Sequence, residues 1–157
     1  MNADIYDITK KLGRTEERNG KLRKKRREPE TEECADLIRW ADKTKIAGLI
    51  VGDHLVHIPN EGKRGQKARS DFVRLGGRKG YPDYVFDVAR SGFHGLRIEM
   101  KAPEEYKSNI SDDQRKWERR LNAQGYCFVY CYSSEEAKQI ISDYLLGNVS
   151  PFDGDAA

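Results

Sequence analysis

The sequence predicts an α/β protein built around a single mixed sheet. Segments with helical spacing of apolar residues alternate with short runs rich in apolar and β-branched residues. The length of 157 residues suits one domain with a substantial core. A helical segment separates the last two predicted strands, and such a crossover makes those strands parallel neighbours.

The first predicted elements are a helix, a hairpin and a second helix. Acidic residues follow Pro29, and apolar residues then recur at helical spacing, which predicts a helix over about residues 30–44. An apolar run at 46–51 ends in a Gly-Asp turn signal and residues 54–58 resume an extended pattern, so we expect these runs to pair as a hairpin. The amphipathic segment 66–75 ends at a glycine pair and predicts another helix.

The second half is predicted to hold three strands and two helices. Residues 83–88 and 95–100 have the pattern of strands joined by a turn. A helix over 111–124, capped by its first serine, leads to an aromatic-rich strand over 126–132. A serine then caps a last helix, which ends at Gly147.

Composition argues against several classes of protein. Charged residues make up 35% of the chain, and no apolar run approaches the roughly 20 residues of a membrane helix. The N-terminus lacks the apolar segment of a secretory signal. The three cysteines are sparse and odd in number, which favours a reducing, cytoplasmic location over a disulfide scaffold.

Positive charge is concentrated at the N-terminus. Residues 1–29 hold ten Lys/Arg and five Asp/Glu, a balance of +5, whereas residues 30–157 hold nineteen and twenty-one, a balance of −2. We predict a basic, flexible arm over 1–29, a folded domain over 30–147 and a loose tail over 148–157. The arm is either simply solvated or binds an anionic polymer such as nucleic acid.

Three charged residues stand at the ends of the two central strands. Glu99 and Lys101 are two apart and therefore face the same way. If the strands pair as a hairpin, Asp83 joins them at one edge. Two carboxylates with a carbonyl and water suit Mg²⁺ or Mn²⁺, and a lysine beside them either stabilises phosphate charge or helps to deprotonate a water. The alternative is a turn cap and an ordinary strand end, although three charges there are costly unless something binds them.

Four segments carry a family resemblance: 58–60, 76–83, 95–101 and 111–114. They resemble the VRR-NUC domain, a branch of the PD-(D/E)xK nucleases found in stand-alone phage and bacterial nucleases and in the Fanconi-associated nuclease. The resemblance runs from about residue 30 to 145. It implies a restriction-endonuclease-like core, in which helices flank a central four-stranded mixed sheet.

The resemblance also implies roles for individual residues. Asp83 and Glu99 would be metal ligands, together with the main-chain carbonyl of Met100. Lys101 would be the catalytic lysine, and Gln114 matches the family's glutamine near the metal and the phosphate. These side chains form the expected catalytic set.

The family has one further acid on its first helix. Glu30 and Glu33 both match it, and Glu30 is slightly preferred. A role in complementing the helix dipole explains either residue equally well.

Candidate DNA-binding residues precede the catalytic strand. Asn60 matches a family asparagine and either positions a loop near the site or caps a helix. We expect some of the basic residues to contact phosphates, although a solvated helix face is the alternative. They are Lys63, Arg64, Arg69, Arg74, Arg78 and Lys79.

Together these features predict a metal-dependent, structure-selective DNA endonuclease. The resemblance implies branched DNA, either a Holliday junction or a flap, as substrate, a homodimer, and a role in repair or recombination in a bacterial or phage-infected cell. The absence of a phosphate-binding loop motif argues against a nucleotide cofactor. The alternative function is a DNA-binding module that keeps the fold without cleaving.

Overall fold

A computed structural model describes residues 15–18, 21–24, 29–59, 65–103 and 108–151 of the chain. Among them, none of the helices has both the length and the apolar character needed to cross a bilayer. The strands are β1 (Thr15–Arg18), β2 (Lys21–Lys24), β3 (Lys45–Ile46), β4 (Leu49–Ile50), β5 (Leu55–His57), β6 (Tyr84–Phe86), β7 (Leu96–Met100) and β8 (Cys127–Cys131). The α-helices are α1 (Pro29–Ala41), α2 (Gln66–Arg74), α3 (Asp112–Ala123) and α4 (Ser134–Leu146), and a 3-10 turn spans Val51–Asp53.

The central sheet has four strands in the order β5-β6-β7-β8. The first two pairs are antiparallel and β7 pairs with β8 in parallel. Because α3 crosses over between β7 and β8, the parallel pairing follows from the connection. The predicted α/β class and its four-stranded mixed sheet are confirmed.

The two middle strands are buried along their whole length. On β7, Leu96, Ile98 and Met100 belong to the hydrophobic core, whereas the residues between them are polar and point to the opposite face. The core continues into α1 and α4 through Leu37 and Tyr144. One face of β7 therefore holds the fold together while the other is available for polar groups.

The predicted hairpin between residues 46–51 and 54–58 is wrong. Instead, β3 pairs with β4 across Ala47 and Gly48, whose φ angles are 49° and 86°. Two consecutive positive φ values are the geometry of a tight hairpin turn. The Gly-Asp pair that served as the turn signal lies in the 3-10 turn, and β5 pairs with β6.

The arm and the tail are only partly described. Strands β1 and β2 pair antiparallel, an arrangement that the charge pattern did not indicate. The rest of the arm, and residues 152–157 of the predicted tail, lie outside the described residues.

Helices α1 and α4 are tied together by polar groups. The Asp36 carboxylate accepts from Lys138 Nζ at 2.6 Å and from Ser134 Oγ at 2.7 Å. These three residues form the helix-pair cluster. Ser133 caps α4, and Gly147 ends it with a φ of 79°.

Helix α2 contrasts with the other helices because it buries no residue. Val73 and Leu75, at and after its end, remain 65% and 76% exposed. Phe72 is half-buried and lies over Gly77, where an added Cβ would overlap its ring. The amphipathic pattern therefore predicts the helix correctly, although its apolar residues stay outside the core cluster.

Candidate active site

The start of β6 and the end of β7 meet at one edge of the sheet. Antiparallel pairing aligns Tyr84 with Ile98, so Asp83, one residue before β6, lies beside the residues that follow Ile98. The Asp83 carboxylate accepts a hydrogen bond from the Met100 amide, with 2.8 Å between Oδ2 and N. The structure thus brings Asp83 against the C-terminal end of β7.

The main chain of Met100 adds an oxygen to this edge. The N–H and C=O of one strand residue point toward the same neighbour. The Met100 amide points to Asp83, whereas the Lys101 amide donates to the Cys131 carbonyl on the other side at 2.8 Å. The Met100 carbonyl consequently faces the Asp83 side.

Three buried polar side chains, Glu99, Lys101 and Gln114, form the site network next to this edge. Their relative solvent exposures are only 3%, 7% and 4%, respectively. Gln114 Nε2 donates to Glu99 Oε1, and Gln114 Oε1 accepts from Lys101 Nζ at 2.8 Å. Lys101 Nζ also lies 3.4 Å from Glu99 Oε1. Burying a carboxylate and an ammonium is costly unless both are paired and hydrogen-bonded, and the network supplies those bonds.

The first turn of α3 holds Gln114 in place. Ser111 is the N-cap residue, and its Oγ accepts from the Gln114 amide at 3.3 Å. In return, the Ser111 amide donates to Gln114 Oε1 at 2.8 Å. This reciprocal pair is a capping box. The same oxygen serves the helix cap and Lys101, so the folding of α3 orients the network.

Close packing fixes the loop before β6 against α3. Gly80 has a φ of 77°, and a Cβ there would lie 2.7 Å from the carbonyl carbon of Asp113, so only glycine fits. Trp117 donates from Nε1 to the Lys79 carbonyl at 3.2 Å, and its ring meets that of Tyr81 edge-on with centroids 4.9 Å apart. The loop that carries the first carboxylate and the helix that carries the amide are therefore locked together.

Comparison with solved structures finds a protein of the same fold. It is described as a VRR_NUC domain protein, with 29% sequence identity and a TM-score of 0.64. The similarity covers 74% of this chain and 88% of that chain. This chain resembles a VRR-NUC domain in both sequence and fold. The resemblance indicated by the four sequence segments is confirmed, and it indicates a domain of a nuclease type. No family model matches the chain, and no curated protein matches it.

The two acids at the start of α1 lie in different surroundings. Glu33 Oε2 accepts from the Ser134 amide at 2.5 Å, so this carboxylate caps α4. Glu30 is exposed at the start of α1. Burial raises the pKa of the Cys34 thiol to about 11, and the negative charges of Asp83, Glu30 and Glu33 add to the effect. The first turns of α1 thus lie within electrostatic reach of Asp83.

The oxygen donors at this edge of the sheet suit a divalent ion. Asp83 and Glu99 offer carboxylates and Met100 a carbonyl, which are the hard ligands that Mg²⁺ and Mn²⁺ prefer. Within the described part of the chain, no three His, Cys, Asp or Glu side chains converge into a complete cage. Mg²⁺ commonly binds one or two carboxylates and completes its shell with water and substrate phosphate. The donor set therefore fits the ion that the resemblance implies.

The predicted DNA-binding residues are exposed where they are described. Arg69, Arg74, Arg78 and Lys79 lie along α2 and the following loop. Arg74 pairs with Asp71 at 3.1 Å. The other predicted residues, Asn60, Lys63 and Arg64, lie outside the described residues.

Sequence reasoning missed the contribution of Trp117 to this site. Its half-buried side chain donates to the Lys79 carbonyl and contacts the Tyr81 ring. The capping box was also missed, although its signal, a serine followed three residues later by a glutamine, stands in the sequence at Ser111 and Gln114.

Proposed function

We propose that this VRR-NUC domain is a divalent-metal-dependent endodeoxyribonuclease that hydrolyses phosphodiester bonds in branched DNA. One observation carries the proposal: the buried site network adjoins the Asp83 carboxylate and the Met100 carbonyl. A fold does not need a buried carboxylate and ammonium at a strand end for stability, since apolar residues serve as well there. Chemistry on a charged substrate explains the arrangement.

The oxygen donors at the sheet edge would hold Mg²⁺ or Mn²⁺. They are Asp83, Glu99 and the Met100 carbonyl, and Glu30 is the acid on α1 that could join them. When bound, such an ion polarises the scissile phosphate and lowers the pKa of a bound water.

The chain's own residues would orient and stabilise the reacting groups. Lys101 Nζ lies 3.4 Å from Glu99 Oε1. In the proposed reaction, this ammonium lies beside the negative charge that develops on the phosphate. Gln114 donates to Glu99 and accepts from Lys101, so it fixes both side chains before the substrate arrives, which lowers the cost of reaching the reactive geometry.

Branched DNA as the substrate rests on the family resemblance and on the kind of contact available. Exposed lysines and arginines bind phosphates without reading sequence, which suits recognition of DNA shape at a Holliday junction or a flap. A homodimer would place two sites on one junction by two-fold symmetry. Repair or recombination is the process that such an activity would serve.

The test is cleavage of a panel of labelled DNAs: junction, flap, splayed arm, duplex and single strand. Wild type is compared with Lys101→Ala in Mg²⁺, in Mn²⁺ and in EDTA. Lys138→Ala is the matched control, because Lys138 also pairs with carboxylates but lies between α1 and α4. We expect metal-dependent cutting of branched DNA by wild type and by the control, and none by Lys101→Ala.

Tight binding without cutting in any metal contradicts the enzyme and supports the non-catalytic DNA-binding module. Equal cutting of all five DNAs contradicts the selectivity for branched substrates alone. Cutting that survives in EDTA contradicts the requirement for a metal ion.

A further inference from the structure

The exposed side of α3 is strongly basic. From residue 115 to residue 123 the helix has four basic residues and a single acid, Glu118. At 100° per residue, the basic residues occupy the side opposite the buried Gln114 and Leu121. We name this surface the α3 basic face; it consists of Arg115, Lys116, Arg119 and Arg120.

Nearby acids leave much of this charge uncompensated. Glu118 accepts from the Tyr130 hydroxyl at 2.9 Å, and Asp113 pairs with Lys116 at 3.6 Å. Within the described residues, Arg115 and Arg119 form no ion pair. Positive charge held on a rigid helix, without an internal partner, is the pattern of a surface for a polyanion.

The α3 basic face lies on the helix that carries Gln114 of the site network. It starts one residue after Gln114, and its charges extend over about 7.5 Å of helix, close to two base-pair steps of about 3.4 Å along a duplex. On the flank nearer the site, Trp117 joins α3 to the Lys79 carbonyl, and the Arg120 guanidinium lies 5.2 Å from the Trp117 ring centroid. The α3 basic face and the site network therefore share one helix.

We propose that the α3 basic face binds the phosphate backbone of the DNA duplex beside the scissile bond. The inference rests on the proposed nuclease function and deepens it, because it names the surface that holds the arm of the substrate. The bonds that this surface makes are ionic, so they position the DNA without selecting a sequence.

The contrast with α2 favours α3 as the principal contact. Helix α2 buries no residue, and its Arg74 is paired with Asp71. Helix α3 is anchored by Leu121 in the interior and by its capping box. A charge on an anchored helix loses less conformational freedom when it binds a phosphate than a charge on a loosely packed one.

The test compares full-length Arg115→Gln/Arg119→Gln with wild type and with Lys43→Gln/Lys45→Gln. Both variants remove two exposed positive charges. Lys43 and Lys45 follow the C-terminal end of α1, a helix of 13 residues that places them about 20 Å along its axis from Glu30. Affinity for a labelled flap is measured in EDTA between 50 and 200 mM salt, and cleavage is measured separately in Mg²⁺ and Mn²⁺.

Loss of two phosphate contacts lowers the slope of log affinity against log salt by about 1.8. The affinity ratio of wild type to the α3 variant should therefore shrink about twelvefold between 50 and 200 mM salt. The control variant should keep the wild-type slope.

A wild-type slope in the α3 variant, or equal losses in both variants, overturns the inference even if wild type cleaves DNA. If binding depends on α3 but wild type cuts no DNA in either metal, the proposed nuclease function fails and the α3 surface stands. A wild type that binds no DNA contradicts both.

Discussion

The site network and the helix-pair cluster contain the same kinds of chemical group but serve different purposes. Each joins a carboxylate, an ammonium and a neutral side chain by hydrogen bonds. The helix-pair cluster lies at the start of α4, where carboxylates are matched by helix N–H groups and by a lysine. Its arrangement serves the packing of two helices.

The site network differs in burial and in what lies next to it. All three of its residues are buried, and a second carboxylate, Asp83, and a main-chain carbonyl adjoin them. The site therefore has two carboxylates and a main-chain carbonyl but only one positively charged side chain, that of Lys101. A buried surplus of oxygen donors is typical of a site that awaits a cation, whereas a partly exposed cluster whose carboxylates meet helix N–H groups and a lysine is typical of structure.

The largest expected effect comes from replacing the lysine of the site network, and the same replacement in the helix-pair cluster is the comparison. Lys101→Met should lower the cleavage rate roughly 10²- to 10³-fold. It should also lower the free energy of unfolding by about 3 kcal/mol, because Glu99 is left buried without its counter-charge. Lys138→Met should cost at most about 1 kcal/mol and leave cleavage unchanged.

A double variant distinguishes catalysis from folding at this position. Lys101→Met/Glu99→Gln removes both charges, so urea unfolding should show recovered stability while single-turnover cleavage stays lost. Recovery of cleavage along with stability would mean that the pair acts only by holding the fold.

Smaller effects are expected from replacing the two acids of α1, Glu30 and Glu33, and the two replacements should affect different properties. Glu33→Gln should lower the free energy of unfolding by about 1 kcal/mol, because it weakens the cap of α4, and should leave cleavage intact. Glu30→Gln should leave stability unchanged and lower cleavage about tenfold, as expected for an acid that supports a metal site. Thermal or urea unfolding and cleavage rates measure the two effects, and an exchange of the two phenotypes would contradict this assignment.

The sequence was sufficient for elements whose signals are local. Apolar runs and a connecting turn predict β6 and β7, and the intervening helix predicts the parallel pairing of β7 with β8. The hairpin prediction failed because two glycine-containing turns compete within a few residues. Gly48 closes the β-turn, whereas the strand after Gly52 pairs with β6, a distant partner that local signals do not reveal.

The site was predictable where strand geometry determines it. The spacing of Glu99 and Lys101 and the hairpin with Asp83 place these residues at one edge without further information. The link from Trp117 to Lys79 depends on how α3 docks against a loop, and the bond from Glu33 to Ser134 on how α1 meets α4. Contacts of this kind arise from tertiary packing, which periodicity along the chain does not encode.

The smallest expected effect tests the helix-pair cluster through pH. Hydrogen bonds from Lys138 and Ser134 lower the pKa of Asp36 to about 2. A carboxyl whose folded pKa is depressed stabilises the fold above its unfolded value of about 3.9, and the benefit is lost as pH falls toward 2. Asp36 is 41% exposed, so solvent screening limits its contribution to at most about 1 kcal/mol.

Asp36→Asn should therefore lower the free energy of unfolding slightly at pH 7, and the difference from wild type should shrink between pH 4 and about pH 2. Urea unfolding at several pH values measures this difference. Asp71→Asn is the matched control, because Asp71 forms an exposed ion pair with Arg74 on α2, which buries no residue. A difference for Asp36→Asn that stays constant down to pH 2 would mean that the cluster stabilises through shape rather than charge. The helix-pair cluster would then differ from the site network in how its groups stabilise the protein, as well as in how deeply they are buried.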